Sequence, residues 1–233
     1  MKGSYLDFLA EFGISGAHPG GFALTKEVLS AIDLIKGAAI LEIGCGTGQT
    51  AEYIASSFDC TVTAIDNHPV MVEKAVARLK QKNVEVKYED AARLSFPDQT
   101  FDFVLAESVI SFTSSVDQAL SGIARVLKKD GVMVAVEMTT EKPLDKEQKK
   151  EVQNLYGVTA VLTEEEWIEK FKRAGFHSVT VLKTMDTSTE EKMVEMQPSE
   201  NIREELYTIW DAHHAFMERP DNPLSFRAFY CEK

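Results

Sequence analysis

The residues best suited to chemistry lie between positions 42 and 66. Glu42 belongs to an apolar run, Ala38–Gly44, that leads directly into three glycines, Gly44, Gly46 and Gly48. Glycine lacks Cβ, so such a loop turns sharply and lets a ligand lie against bare peptide. A helical pattern begins directly after these glycines. The unpaired N–H groups at a helix start suit a carboxylate, a hydroxyl or a phosphate.

Asp66 ends the next apolar run, Thr61–Asp66. A carboxylate at this place accepts two hydrogen bonds from a ribose diol, as in nucleotide-binding α/β proteins. An ordinary strand-to-helix turn uses glycine too, but the two acidic residues favour a nucleoside site. A dinucleotide-binding turn usually reads G-x-G-x-x-G. Here the spacing is G-x-G-x-G, which differs from the dinucleotide-binding pattern.

The segment Glu42–Gly48 closely resembles the first motif of the class I S-adenosylmethionine (SAM) methyltransferases. Tyr88–Asp102 resembles the family's D-A-x-x-L-P-F-P-D-x-S-F-D stretch, and Leu127–Gly131 resembles the turn before its fifth strand. Leu162–Phe176 resembles its L-T-x-E-E-W segment that ends in A-G-F. The similarity covers roughly residues 38–184 in unbroken order, so it is far more specific than one motif.

The element order predicts an α/β fold with a Rossmann-like, doubly wound sheet. Near-continuous apolar runs are typical of parallel strands covered on both faces, and alternating helices make right-handed crossovers. The resemblance implies seven strands, with the last inserted antiparallel. The expected strands are Ala38–Gly44, Thr61–Asp66, Val84–Tyr88, Phe101–Glu107, Val132–Met138, Ser178–Lys183 and Phe226–Cys231. The expected core helices are Gly48–Phe58, Pro69–Lys80, Val116–Lys128 and one that ends at Ala174.

We expect one domain over residues 1–233, because a chain of this length can bury one sizeable core. Its core comprises residues 38–184 and 226–233. An N-terminal cap comprises residues 1–36 and includes a helix from about Thr25 to Ile35. Two insertions on the substrate side comprise residues 139–157 and 185–225. In the last insertion, one helical face carries Ile202, Leu206, Ile209, His213 and Phe216. We interpret this helix as a lid over the site.

The composition indicates which classes of binding partner are favoured. The net charge of −12 and the pI near 4.9 disfavour nucleic acid and anionic membranes, which call for clustered Lys and Arg. No apolar run approaches the roughly 20 residues of a spanning helix, and the N-terminus has no signal pattern, so we expect a cytoplasmic enzyme. Cys45, Cys60 and Cys231 suggest neither a disulfide framework nor a metal site. A small-molecule substrate is favoured. The sequence is silent on oligomeric state.

The resemblance implies SAM as cofactor and S-adenosylhomocysteine (SAH) as product. The cofactor-binding candidates are Glu42, Gly44, Cys45, Gly46, Gly48, Asp66, Asn67, Asp90, Ala91 and Glu107. The glycines would surround the methionine and ribose portions, Asp66 would bind the ribose hydroxyls, and Asp90 would meet the adenine amino group. Asp90 is also typical of a turn or of a helix cap, and Asn67 is also typical of the turn before Pro69. Cys45 is also explained as a small residue that fills space in the glycine loop.

Methyl transfer from a sulfonium is an in-line displacement, so no fixed set of catalytic side chains is expected. A general base is needed only where the acceptor must lose a proton. The candidates are His18, Glu107 and His213, although a turn residue, a strand-end carboxylate and a core histidine would look the same. A methyltransferase of small molecules is the leading interpretation. A methyltransferase of protein side chains and a non-catalytic or NAD-dependent Rossmann protein stay open.

Overall fold

The computed structural model describes residues 3–32, 34–184 and 194–233. The strands are β1 (Ala38–Ile43), β2 (Cys60–Asp66), β3 (Val84–Tyr88), β4 (Phe101–Glu107), β5 (Leu127–Thr140), β6 (Leu162–Thr163), β7 (Ser178–Thr184) and β8 (Leu224–Glu232). They form one sheet in the order β3-β2-β1-β4-β5-β8-β7, and the two-residue β6 pairs with the end of β5. The part of the predicted lid at 185–193 lies outside the described residues.

Five strands, β1 to β5, are mutually parallel, and β8 runs antiparallel between β5 and β7. The prediction of a doubly wound, Rossmann-like sheet with an antiparallel last strand is therefore confirmed. In such a sheet, ligands bind beyond the carboxyl ends of the strands, where the strand order reverses. Here the order reverses between β1 and β4.

Helices cover both faces of the sheet. They are α1 (Tyr5–Phe12), α2 (Gly21–Ser30), α3 (Gln49–Ser57), α4 (Pro69–Leu79), α5 (Val116–Val126), α6 (Lys146–Tyr156), α7 (Glu164–Ala174) and α8 (Glu205–Met217). One core cluster packs α5 and α7 on one face, with Trp167 and Leu120 fully buried. A second packs α2, α3 and α4 on the other, with Leu29 and Ile54 fully buried. No helix of the described residues is long and apolar enough to cross a membrane.

Two predicted helices have wrong bounds, and the fifth strand, expected from Val132, begins at Leu127. The helix expected from about Thr25 to Ile35 begins at Gly21, because Gly20 turns the chain with φ 79° directly before it, and it ends at Ser30. A Cβ at Gly20 would lie 2.7 Å from Leu24, so the turn is also sterically reserved for glycine. The helix expected to reach Lys128 ends at Val126, and Leu127 already pairs with Phe101 as the first residue of β5.

The N-terminal residues 5–20 lie across the carboxyl ends of the strands, and we call them the cover. Aromatic side chains of α1 pack against α8, as in the edge-on contact of Phe8 with Trp210, whose ring centroids are 5.5 Å apart. Residues 194–199, which we call the strap, pair antiparallel with the cover: the N–H of Ser15 donates to Glu195 O at 2.9 Å. In the other direction, the N–H of Gln197 donates to Gly13 O at 2.9 Å.

Candidate active site

A cavity lies at the carboxyl ends of β1, β2 and β4, at the place where the strand order reverses. The space within it, including solvent at its open mouth, is about 1010 Å³. The floor is the loop between β1 and α3, and the cover forms the opposite wall with Leu6, Leu9 and Ile14. This is the usual position of a ligand site in an open α/β sheet.

Gly44 and Gly46 give the loop its shape. Gly44 has φ 71°, and a Cβ there would lie 2.2 Å from the side chain of Val109. Gly46 has φ 54°, and the nearest atom to a Cβ there is Met71 Sδ at 4.0 Å, so this glycine is open towards the cavity. The loop therefore presents bare peptide to whatever occupies the cavity.

Gly48 has a packing role. It directly precedes α3 with φ 82° and is not among the cavity-lining residues. A Cβ at Gly48 would lie 2.9 Å from Leu79 and 3.3 Å from Ala75, both on α4. This glycine therefore lets α3 and α4 pack closely, and its contact with a cofactor stays a prediction.

Asp66 lies beside the glycine loop because β1 and β2 are neighbouring parallel strands. Its Oδ2 accepts the N–H of Gly46 at 2.9 Å, and its Oδ1 accepts the N–H of His68 at 2.8 Å. A carboxylate has about four acceptor positions, so both oxygens can accept further donors. Burial raises the pKa of this carboxyl above its ordinary value, while the two N–H donors oppose that shift. Asp66 and the adjacent Asn67 both line the cavity.

Glu42 is a buried carboxyl with one oxygen that lacks a hydrogen-bond partner among the described residues. It is 4% exposed, and Oε2 has no hydrogen-bond partner among the described residues. Burial raises its pKa well above the ordinary value, and the nearby carboxyls of Glu107 and Asp66 raise it further. Buried polar groups are rarely left unpaired. A donor or cation in the cavity would therefore be favourable at this atom.

Glu107 ends β4 and is held by three side chains. Thr25 Oγ1 donates to Oε1 at 2.8 Å, Thr50 Oγ1 donates to Oε2 at 3.4 Å, and His18 Nε2 lies 3.5 Å from Oε1. The elements α2, α3 and the cover thus meet at this carboxylate. The two threonines were missed in the sequence, because neither carries a motif or a spacing signal.

His18 lines the cavity and has partners at both ring nitrogens. Its Nδ1 lies 3.1 Å from the carbonyl oxygen of Pro19. Its Nε2 lies 3.1 Å from Thr25 Oγ1 and 3.5 Å from Glu107 Oε1. The ring therefore links the cover to α2 and to the carboxyl end of β4.

The end of the cavity beyond β3 differs from the expectation in one residue. Asp90 does not line the cavity; its Oδ1 accepts the N–H of Ala92 at 2.9 Å and caps a short 3-10 turn at Ala91–Arg93. The lining residues at this end are Glu89 and Ala91. The acid that faces the cavity is therefore Glu89, one position earlier than expected.

Cys45 lines the cavity from within the glycine loop and is buried. Burial raises the pKa of its thiol well above the ordinary value, and the carboxyls of Glu42 and Asp66 raise it further. A neutral thiol in this place is a compact filler and a poor nucleophile. Among the described residues, no three His, Cys, Asp or Glu side chains are placed to hold a metal ion.

His213 is not among the residues that line the cavity, and its role as a base stays a prediction. Its Nδ1 is 3.1 Å from the hydroxyl of Tyr156, and its ring packs against Tyr5 with centroids 5.4 Å apart. Burial lowers its pKa to about 4. The helix α8 contributes no residue to the cavity lining; it packs against α1, and α1 covers the site.

A buried carboxyl outside the cavity shapes the remaining wall. Glu137, on β5, accepts the N–H groups of Val109, Ile110 and Ser111 at 2.8 to 3.2 Å and the hydroxyl of Ser111 at 2.6 Å. These bonds hold the turn after β4, from which Val109 and Phe112 face the cavity. Sequence reasoning missed Glu137, since a single acid in an apolar strand does not reveal its partners.

Comparisons with known proteins identify the family to which this fold belongs. Residues 41–135 match the family model for a methyltransferase domain. The protein "Uncharacterized methyltransferase YodH" of Bacillus subtilis (strain 168) is 35% identical over 217 residues, which are 92% of each chain. The chain belongs to the class I SAM-dependent methyltransferases.

Solved structures share the fold at lower identity. Phosphoethanolamine N-methyltransferase 2 of Haemonchus contortus, in complex with phosphomonomethylethanolamine and SAH, superposes with a TM-score of 0.74 at 20% identity. The match covers 97% of this chain and 56% of that one. The [4+2]-cyclase SpnF superposes with a TM-score of 0.70 at 22% identity over 96% of this chain and 87% of that one. One fold thus serves several reactions, and the acceptor must be argued from the site.

Proposed function

We propose that this chain transfers a methyl group from SAM to a small-molecule acceptor inside the cavity under α1, by in-line displacement. The observation that carries the proposal is the meeting of three features in one cavity. They are the open glycine loop at Gly46, the Asp66 carboxylate beside it, and the unpartnered Oε2 of the buried Glu42.

The residues present fit the cofactor. SAM has an ammonium group, a ribose diol and an adenine, and each needs a different partner. Glu42 offers an unpaired, buried acceptor for a cationic donor. Asp66 keeps acceptor positions for hydroxyl groups, and a hydrogen bond to a charged group contributes about 1.5–3 kcal/mol. Gly46 allows close approach of the ligand to the backbone.

We assign the cofactor contacts accordingly. Gly44, Gly46 and Glu42 would surround the methionine portion, and Asp66 with Asn67 would bind the ribose. Ala91, with Glu89 beside it, would border the adenine. These assignments follow from the positions of the residues along the cavity wall and from the resemblance to the family.

When bound, SAM supplies a methyl group on a sulfonium, which is already an activated electrophile. The chain's part is to hold an acceptor in line at about 3–3.5 Å and to keep water out. The cover and the strap serve the second purpose. Where an acceptor must lose a proton, Glu107 Oε2 is the atom to receive it, because its contact with Thr50 is long at 3.4 Å.

The enclosure favours a small acceptor over a protein side chain. The cover contributes Leu6, Leu9 and Ile14 to the wall opposite the glycine loop, and the strap holds it there. A folded protein would have to displace the cover to reach the cavity, whereas a small molecule fits beneath it.

The test is a calorimetric titration of wild type and two variants with SAM, SAH and NADH. We expect both adenosyl ligands to bind wild type and NADH not to bind. Asp66→Ala should weaken adenosyl binding about tenfold or more. Asp59→Ala, which removes an exposed carboxylate paired with Lys36, is the control and should bind like wild type. Absence of adenosyl binding to the folded wild type would refute the proposal.

A further inference from the structure

The charged side chains that line the cavity are mostly carboxyls. Four residues contribute them: Glu42, Asp66, Glu89 and Glu107. Among the described lining residues there is no lysine or arginine. The lining histidines are His18, which holds Glu107, and His68, whose Nε2 lies 3.6 Å from Asp7.

The four carboxyls lie at different parts of the wall. Asp66 and Glu89 lie along the part that we assign to the ribose and the adenine, and Glu42 lies beside the methionine portion. Glu107 borders the space that remains for an acceptor, with Thr25 Oγ1 and His18 Nε2 at its Oε1.

The remaining wall of the cavity is apolar. Leu6 and Leu9 come from α1, Ile14 from the loop after it, and Val109 and Phe112 from the turn after β4. Tyr5 stacks on Phe112 at 6.3 Å between ring centroids, which places α1 against that turn. The space for a second ligand is therefore bordered by hydrocarbon on several sides and by Glu107 at one end.

We infer that the methyl acceptor carries no negative charge and presents a neutral or cationic nucleophilic group on an apolar body. This inference rests on the proposed function and adds the chemical class of its acceptor. An anion brought under the cover would lose water and gain no lysine or arginine partner among the described lining residues, and both ring nitrogens of His18 already have partners within the chain. It would also lie near carboxylates, in a place where low dielectric strengthens repulsion.

The inference separates this chain from the structural relative of Haemonchus contortus, whose complex holds a phosphorylated amine. A phosphate group needs Arg, Lys or a cluster of N–H donors. The described lining residues supply carboxyls and hydrocarbon instead, so phosphorylated and carboxylated acceptors should be rejected here.

The experiment compares two probes that share a phenyl ring and a short alkyl chain but differ in charge. Binding of 2-phenylethylamine and 3-phenylpropanoate is measured by NMR titration on the SAH-saturated protein. We expect the Kd of the anion to be at least about tenfold higher than that of the amine. Equal values, tighter binding of the anion, or no measurable binding of the amine would overturn the inference.

Two variants test whether the preference for the amine over the anion depends on a carboxylate in the cavity. Glu107→Gln keeps an acceptor for Thr25 but removes the charge, so the ratio of the two Kd values should shrink. Glu85→Gln, which removes an exposed carboxylate on β3, is the matched control and should keep the wild-type ratio. An unchanged ratio in Glu107→Gln would count against the inference.

Failure of the proposed function gives a different signature. SAH binding is measured first, and its absence refutes the proposed cofactor. The same probes are then titrated on the ligand-free protein, where the amine should still bind more tightly. If SAH binds but the anion is preferred, the function stands and the acceptor class is wrong.

Discussion

Ser15 Oγ and Thr47 Oγ1 lie 2.5 Å apart in a buried hydrogen bond that joins the cover to the glycine loop. Ser15 is 4% exposed and Thr47 is 1% exposed, so neither hydroxyl has water as an alternative partner. The bond joins the loop that forms the floor of the cavity to the cover. It therefore couples closure of the cover to the conformation of the loop that we assign to the cofactor.

Ser15→Ala should loosen this coupling. It leaves the buried hydroxyl of Thr47 without its partner, which costs about 1–3 kcal/mol. We expect SAH to bind about fivefold more weakly or worse, measured by calorimetry. Thr47→Val combined with Ser15→Ala should be no worse than either single variant, since both polar groups are then gone.

Ser30→Ala is the control for this pair. Ser30 Oγ donates to Glu27 O on α2, outside the cavity, and its removal should leave SAH binding unchanged. An unaltered Kd in Ser15→Ala would show that the cover does not contribute to holding the cofactor.

Gly13→Ala should disrupt the pairing of cover and strap. Gly13 has φ 62°, and a Cβ there would lie 2.0 Å from the carbonyl oxygen of Gln197. Gly157→Ala is the matched control, because Gly157 has φ 75° but nothing within 4 Å of a Cβ. Both variants bear the cost of a left-handed backbone, about 1–2 kcal/mol. Only Gly13→Ala adds an overpacking cost of about 1–3 kcal/mol.

Urea denaturation measures this difference in the free energy of unfolding. Equal losses in the two variants would mean that the strap moves aside freely. We also expect faster dissociation of SAH from Gly13→Ala than from Gly157→Ala, followed by stopped flow, because the strap holds the cover closed.

Glu42 should make the ligand-free protein less stable as the pH rises. Its pKa is raised on folding, so its stabilising contribution is complete below the unfolded value of 4.5 and is lost as the pH rises through the folded value. Compared with Glu42→Gln, the unfolding free energy of wild type should fall with rising pH in this window, by up to about 1.4 kcal/mol per unit.

The comparison of wild type with Glu141→Gln should show the opposite dependence of stability on pH. Arg227 lowers the pKa of Glu141, so wild type should gain stability over this variant as the pH rises from acid towards neutrality. Unfolding curves between pH 3 and pH 8 give both comparisons. A flat difference between wild type and Glu42→Gln would contradict the burial of an unpaired carboxyl.

His213 should affect stability and leave cofactor binding alone. Its pKa is lowered from 6.5 to about 4 on folding, so wild type should lose stability as the pH falls from 6.5 towards 4. The variant His213→Phe should lose less over the same window. Its Kd for SAH should match that of wild type at each pH, because His213 lies outside the cavity. A changed pH dependence of SAH binding would assign His213 to the site after all.

The sequence predicted the parts of the site that follow from strand order. Gly44 and Asp66 come together because β1 and β2 are adjacent and parallel, with Ile43 opposite Ile65. A glycine pattern after one strand and an acid at the end of the next report this arrangement directly.

Other parts of the site depend on packing between distant segments. Gly48 has the same spacing as Gly46, but the direction of its missing side chain, towards α4, is set by the tertiary structure. The helical period placed His213 on an apolar face without saying that the face packs on α1. Ser15 and Thr47 are 32 positions apart and have no common pattern.

A crystal structure of the protein with SAH tests the central claim most directly. We expect SAH in the cavity, with its ribose hydroxyls on Asp66, its ammonium group within hydrogen-bonding distance of Glu42 and its backbone contacts at Gly46. The cover should lie over the ligand with the bond between Ser15 and Thr47 intact. SAH bound elsewhere, or a cavity without ligand at saturating SAH, would contradict the account.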